Sequence, residues 1–90
     1  MNSQLTLDFL ACFAKLPDAV KDQARKCYQM WRDNPAHPSL HFKRIHGHES
    51  LYAVRVSLGW RALGLREGDT ISWFWIGSHA EYNALISSTV

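Results

Sequence analysis

The residues best suited to chemistry gather near the end of the chain, in Ile71 to Tyr82, ISWFWIGSHAEY. His79 carries the side-chain type that takes and gives protons near neutrality, with an unperturbed pKa of about 6.5. Tyr82 follows three residues later, which puts the two on one side of a helix. Ser78-His79-Ala80-Glu81 has the capping-box form S-x-x-E, so Ser78 should open that helix, with Glu81 reaching back to it. Free backbone N–H groups at such an end would welcome an anion such as phosphate. Arg55 and Arg61 are suited to bidentate phosphate holding. Lys43 and Arg44 are neighbours on an expected strand and point to opposite faces, so only one of them can serve the same site. These residue types together point to proton transfer at a phosphate. On spacing alone, a surface histidine beside a cap is the better reading of His79. Arg55 and Arg61 also fit a solvated sheet face paired with Glu49, Glu67 or Asp69, and Tyr82 fits a half-buried helix residue.

The element that must position His79 is the run before it. Ile71, Trp73 and Trp75 on one alternation set, and Phe74 and Ile76 on the other, are all apolar. This predicts an inner strand covered on both faces, running straight into the helix start. Core packing is the expected role for Trp73 and Trp75, with base stacking as the alternative. Earlier in the chain, residues 2–8 read as a short edge strand and Phe9 to Lys15 as a short helix. Leu16-Pro17 ends that helix and suits the start of a second one running to about Asp33. Val20, Ala24, Cys27, Tyr28 and Trp31 make the buried face of the second helix. Its Lys21, Asp22, Arg25, Lys26 and Arg32 read as a solvated face. Asn34-Pro35-Ala36-His37-Pro38 breaks the helical half from a β half. There Leu40 to His46, Leu51 to Leu58 and Trp60 to Arg66 read as strands, with turns at Gly47, Gly59 and Gly68. Ser87 to Val90 reads as a frayed tail. The expected fold is α+β: an N-terminal helical hairpin packed on a three- or four-stranded antiparallel meander, with a short C-terminal helix. The sheet face opposite the hairpin would hold Arg55 and Arg61, open to solvent or to a ligand.

Bulk properties narrow the classes. Ninety residues, 47% hydrophobic and 20% charged, make one small domain, residues 1–90, with a modest core. A net charge of +2 does not by itself argue for nucleic acid. The cations Lys43, Arg44, Arg55, Arg61 and Arg66 nevertheless all lie from residue 37 onward, with all five histidines. No signal peptide or membrane span is expected, which makes the expected location the cytoplasm. Cys12 and Cys27 read as reduced, mostly buried thiols. His37, His41, His46 and His48 raise a metal reading, but no cysteine lies near them and no helical H-x-x-x-H pair exists, so no metal and no cofactor is expected.

The ordered pieces resemble the RelE/ParE superfamily of bacterial type II toxins, in its RelE-like branch with a terminal G-[ST]-H-x-E-Y segment. They are Leu16-Pro17, Asn34-Pro35, Leu40-x-x-Lys43, Tyr52-x-Val54-Arg55-Val56, Gly59-Trp60-Arg61-Ala62-Leu63 and Ile76-Gly77-Ser78-His79-x-Glu81-Tyr82, covering nearly the whole chain. The resemblance implies a compact sheet with two helices on one face and a cognate antitoxin that wraps the toxin. It further implies metal-independent, ribosome-dependent cleavage of mRNA, with the ribosome and mRNA as partners. Such cleavage uses the RNA's own 2′-hydroxyl as nucleophile and needs a base, an acid and cations for the phosphate. On that reading His79, Arg61 and Tyr82 are the catalytic candidates. Lys43, which matches the family position, and then Arg55 and Arg44, are the RNA-binding candidates. The ParE branch implies instead a non-enzymatic inhibitor of DNA gyrase, and a third alternative is a degenerate toxin that serves only as an interaction module. Exposed sheet aromatics would be covered by the antitoxin in a hetero-oligomer, or by a second copy of the chain in a homodimer.

Overall fold

A computed structural model describes residues 1–88. Five strands form one sheet in the order β1-β5-β4-β3-β2: β1 (Asn2–Leu5), β2 (Lys43–Arg44), β3 (Leu51–Ser57), β4 (Trp60–Glu67) and β5 (Thr70–Ser78). Helices α1 (Leu7–Ala14) and α2 (Asp18–Asp33) cover one face, and α3 (His79–Ser88) lies on the other. The α+β expectation holds, with a larger and mixed sheet. β1 joins as a fifth strand and runs parallel to β5, with Asn2 opposite Thr70 and Leu5 opposite Trp73. β5 is therefore an inner strand, as its double apolar face requires.

Helix α1 begins two residues before the expected Phe9. Thr6 is the reason: its Oγ1 accepts the Phe9 N–H at 3.1 Å and donates to the Trp73 carbonyl at 2.9 Å. One threonine thus caps the helix and ends β1. Helix α2 has the expected span and buries Val20, Ala24, Cys27 and Trp31. Trp31 is 1% exposed and meets Trp73 edge-on at 5.4 Å and Phe42 at 5.7 Å. These contacts lock α2 to the sheet through aromatic packing. The helical hairpin is splayed. Helix α1 rests chiefly on β5 and α2 on β3, leaving an apolar cleft of about 250 Å³ between them.

Two expectations about strands fail for local reasons. Leu40 to His46 yields only the two-residue β2. Pro38–Leu40 forms a 3-10 turn instead, and His41 closes it at φ +47°, in the left-handed region that ends an extended run. The simple alternation of β5 also fails. A bulge places Leu63 opposite Trp75 and Gly64 opposite Trp73, so Phe74 is the extra residue. Ile71, Trp73 and Ile76 then face α1 and α2, whereas Phe74 and Trp75 face α3 with Leu63 and Ala53. The face opposite the hairpin is thus partly roofed by Tyr82 and Ile86 of α3 rather than open. Of the expected tail, Ser87 and Ser88 belong to α3, and Thr89 and Val90 lie outside the described residues.

Candidate functional site

The last turn of β5 delivers His79 as a set of local bonds. Ser78 Oγ accepts the Glu81 N–H at 3.1 Å, and Glu81 Oε1 accepts the Ser78 N–H at 3.1 Å and its hydroxyl at 2.9 Å. The capping box is complete, and both Ser78 groups hold the Glu81 carboxyl below the usual carboxylate range. Glu81 is therefore an ionised cap rather than a base. The His79 N–H donates to the Gly59 carbonyl at 2.8 Å, which ties the β3–β4 turn to the start of α3. The helix end is consequently not the free anion site expected from its sequence. Its amides at His79 and Glu81 are taken, and a carboxylate already sits there.

The register across the sheet brings the cations beside that helix. Arg55 is opposite Arg61, and Arg61 is opposite Gly77. Lys43 is opposite Ala53, two positions from Arg55 on the same face. A cleft of about 170 Å³ results, lined by His41, Lys43, Ala53, Val54, Arg55, Arg61, His79 and Tyr82. Five of the six sequence-derived candidates share it. Arg44 does not line it, because it pairs with Tyr52, whose ring packs toward the α2 side with Phe42. No acidic side chain lines the cleft. The expected pairing of Arg55 or Arg61 with Glu49, Glu67 or Asp69 is also missing; among the described residues the ion pair found is Asp22 with Arg25 at 3.0 Å.

The rings of His79 and Tyr82 stack at 6.1 Å and 29°. His79 is exposed and Tyr82 half-buried. Burial raises the Tyr82 phenol above its ordinary pKa, against the opposing pull of Arg61, so the phenol stays protonated and can donate. Burial and then the Arg55 charge lower the Arg61 guanidinium from its ordinary value, with Tyr82 opposing. Arg61 is also tied down: its Nη1 donates to the carbonyls of Ser57 at 2.7 Å, Trp60 at 2.9 Å and Leu58 at 3.3 Å. One nitrogen thus clasps the β3–β4 turn, and the same residue lines the cleft. Behind the strand, burial pushes the Cys27 thiol up to about 11, and its Sγ–H donates to the Arg55 carbonyl at 3.5 Å.

His41 is the cleft residue that sequence reasoning left among generic histidines. Its signal was its place just after the Pro38 turn, where a left-handed residue swings the chain toward β3. No three His, Cys, Asp or Glu side chains cluster as a metal site among the described residues, and no helix among them is long and apolar enough to cross a membrane.

A model of the ParE-like toxin domain matches residues 18–84. The chain belongs to this family, within the RelE/ParE superfamily. The matched span runs from the start of α2 into α3 and includes every candidate site residue. No curated protein matches the sequence. Solved structures are similar in fold across nearly the whole chain. RelE in the RelB–RelE antitoxin–toxin complex of Methanococcus jannaschii has a TM-score of 0.74 at 14% identity, covering 91% of this chain and 96% of that one. YafQ of E. coli has a TM-score of 0.70 at 9% identity, with 90% and 96% covered. The isolated E. coli RelE toxin has a TM-score of 0.65 at 15% identity, with 99% and 98% covered. At these identities the likeness is one of fold.

Proposed function

We propose that this ParE-like toxin-domain protein is the toxin of a type II toxin–antitoxin pair and cuts mRNA on the ribosome. The observation that carries the reading is the convergence of His79, Tyr82, Arg55, Arg61 and Lys43 on one cleft without an acidic side chain. In the proposed reaction His79 takes the proton of the RNA 2′-hydroxyl, whose oxygen attacks the adjacent phosphorus. The bond to the 5′-oxygen breaks, and the protonated Tyr82 supplies the proton that oxygen needs. The products are a 2′,3′-cyclic phosphate and a free 5′-hydroxyl. Lys43, Arg55 and Arg61 hold the added negative charge of the transition state. The ribosome aligns the RNA, and alignment alone can contribute about 7–11 kcal/mol to such a step. This places the activity in the cytoplasm, where translation occurs.

A cognate antitoxin is the natural partner: the similar toxins of M. jannaschii and Pyrococcus horikoshii are seen with RelB, and E. coli YafQ with DinJ. The name of the matching family model favours a second reading, gyrase inhibition of the ParE kind without nuclease chemistry. One experiment separates them. Wild type, His79→Ala and Tyr82→Phe are induced in cells, and translated mRNA is mapped by primer extension. The nuclease reading expects cuts inside codons with wild type that disappear with His79→Ala. Growth arrest with intact mRNA, unchanged by His79→Ala, overturns it in favour of gyrase or another target.

A further inference from the structure

Among the described residues, His41 is the one non-glycine residue with a positive φ, at φ +47° and ψ +38°. A side chain in that region costs conformational energy, though histidine enters it more readily than most residues. Glycine would adopt it freely. Such conformations persist only where the surrounding structure holds them, and they gather at ligand sites.

The hold is visible here. Leu40, 2% exposed, and Phe42, whose ring meets Trp31 and Tyr52, both pack into the core on the α2 side. The His41 N–H closes the 3-10 turn on the Pro38 carbonyl at 3.3 Å. Within that turn the Ser39 N–H and hydroxyl bond to His37 Nδ1 at 3.2 and 2.8 Å. With both chain neighbours packed in the core, His41 is left exposed and lines the cleft of His79 and Tyr82. Its ring has no hydrogen bond or ion pair among the described residues, so the fold gains no bond from the imidazole.

The surroundings narrow what that ring can meet. Lys43 from β2, Arg55 from β3, Arg61 from β4, and His79 and Tyr82 from α3 line the same cleft, and no carboxylate does. Three permanent cations without an anion select an anionic ligand. An imidazole beside them offers a ring N–H in either protonation state. A turn residue alone would be better served by glycine, so the histidine's distinct contribution is its ring.

We infer that His41 is a substrate-contacting residue of this cleft, its ring N–H donating to a non-bridging oxygen of the phosphodiester that Lys43, Arg55 and Arg61 hold. The ligand class, single-stranded RNA, rests on the proposed nuclease reading, but the contact itself does not require cleavage.

His41→Gly is the direct test, because glycine keeps the left-handed turn and removes only the ring. Relief of the left-handed strain offsets glycine's added freedom in the unfolded chain, so the Tm should not fall. Binding of the full chain to an RNA trinucleotide whose central 2′-hydroxyl is methylated, which removes the nucleophile, is followed by NMR. The His41 ring signals of wild type should shift together with those of Tyr82. His41→Gly should bind about tenfold more weakly, the scale of one hydrogen bond to a charged phosphate. Three results overturn the assignment: an unmoved His41 ring, an unchanged affinity in His41→Gly, or a Tm well below wild type, which would make the ring part of the fold. Wild-type cutting of translated mRNA, measured in parallel, separates the two ideas. Cutting with an unmoved His41 ring sinks the contact alone, and a shifted ring without cutting sinks the nuclease reading alone.

Discussion

Arg61 serves two ends, and its replacement should expose both. Its Nη1 faces three carbonyls, at 2.7, 2.9 and 3.3 Å. That nitrogen has two protons, so the Ser57 and Trp60 bonds are the strong pair and the Leu58 contact is shared. Hydrogen bonds from a charged donor contribute about 1.5–3 kcal/mol each. The turn is open, with Leu58 78% exposed, so water replaces part of what is lost. Arg61→Ala should therefore destabilise the fold by about 1–2 kcal/mol, below the sum of two such bonds. For a domain of this size that corresponds to a fall in Tm of roughly 5–15 °C. The consequence reaches His79, because the same turn supplies the Gly59 carbonyl that holds the His79 N–H. Arg61→Lys, which can keep one carbonyl contact but not the fork, should recover about half of the stability. Urea unfolding followed by tryptophan fluorescence measures this directly. A midpoint for Arg61→Ala equal to wild type would refute the clasp and leave Arg61 a purely ligand-facing residue.

Other perturbations test neighbouring parts of the site. Gly77→Ala would put a Cβ 2.5 and 2.9 Å from the Trp75 ring and 3.2 Å from Glu81 Oε1; overpacking of this kind costs about 1–3 kcal/mol, and a thermal melt identical to wild type would contradict the ring's position. Ser78→Ala removes the N-cap side chain, so a loss of about 1 kcal/mol is expected, with altered His79 and Tyr82 ring signals by NMR. The buried Cys27 thiol, pushed up to about 11, makes stability fall with alkali. Between the unfolded thiol's pKa, about 8.5, and 11, the unfolded chain has lost the proton and the folded one keeps it, so unfolding becomes easier as pH rises. That loss amounts to roughly 2–3 kcal/mol by pH 11; a Cys27→Ala variant should lack this component, and an unchanged alkaline slope in it would refute the assignment.

Short-range rules made much of this protein legible from its residues. The buried stripe of α2, the β3–β4 hairpin at Gly59 and the Ser78–Glu81 box each arise from groups within a few positions of one another. Their hydrogen-bond partners and periodicities are therefore written into short stretches of sequence. The cations of the site were legible as residue types. Strand alternation allowed only one of Lys43 and Arg44 into the cleft, the family resemblance pointed to Lys43, and Lys43 is the one that lines it.

Tertiary structure decided whatever depended on register between distant segments. A bulge at Phe74 turned Trp75 toward α3, although alternation placed it beside Trp73. A parallel partner for β5 came from residues 2–5, some seventy positions away, and no local pattern encodes that pairing. His41 entered the cleft through one left-handed residue, and Arg61 closed a turn whose carbonyls it meets only after β3 and β4 have paired. Local propensity is set by a few neighbouring bonds. The placement of a side chain in a site is set by packing between surfaces far apart in sequence, where one extra residue reverses the face on which a side chain falls.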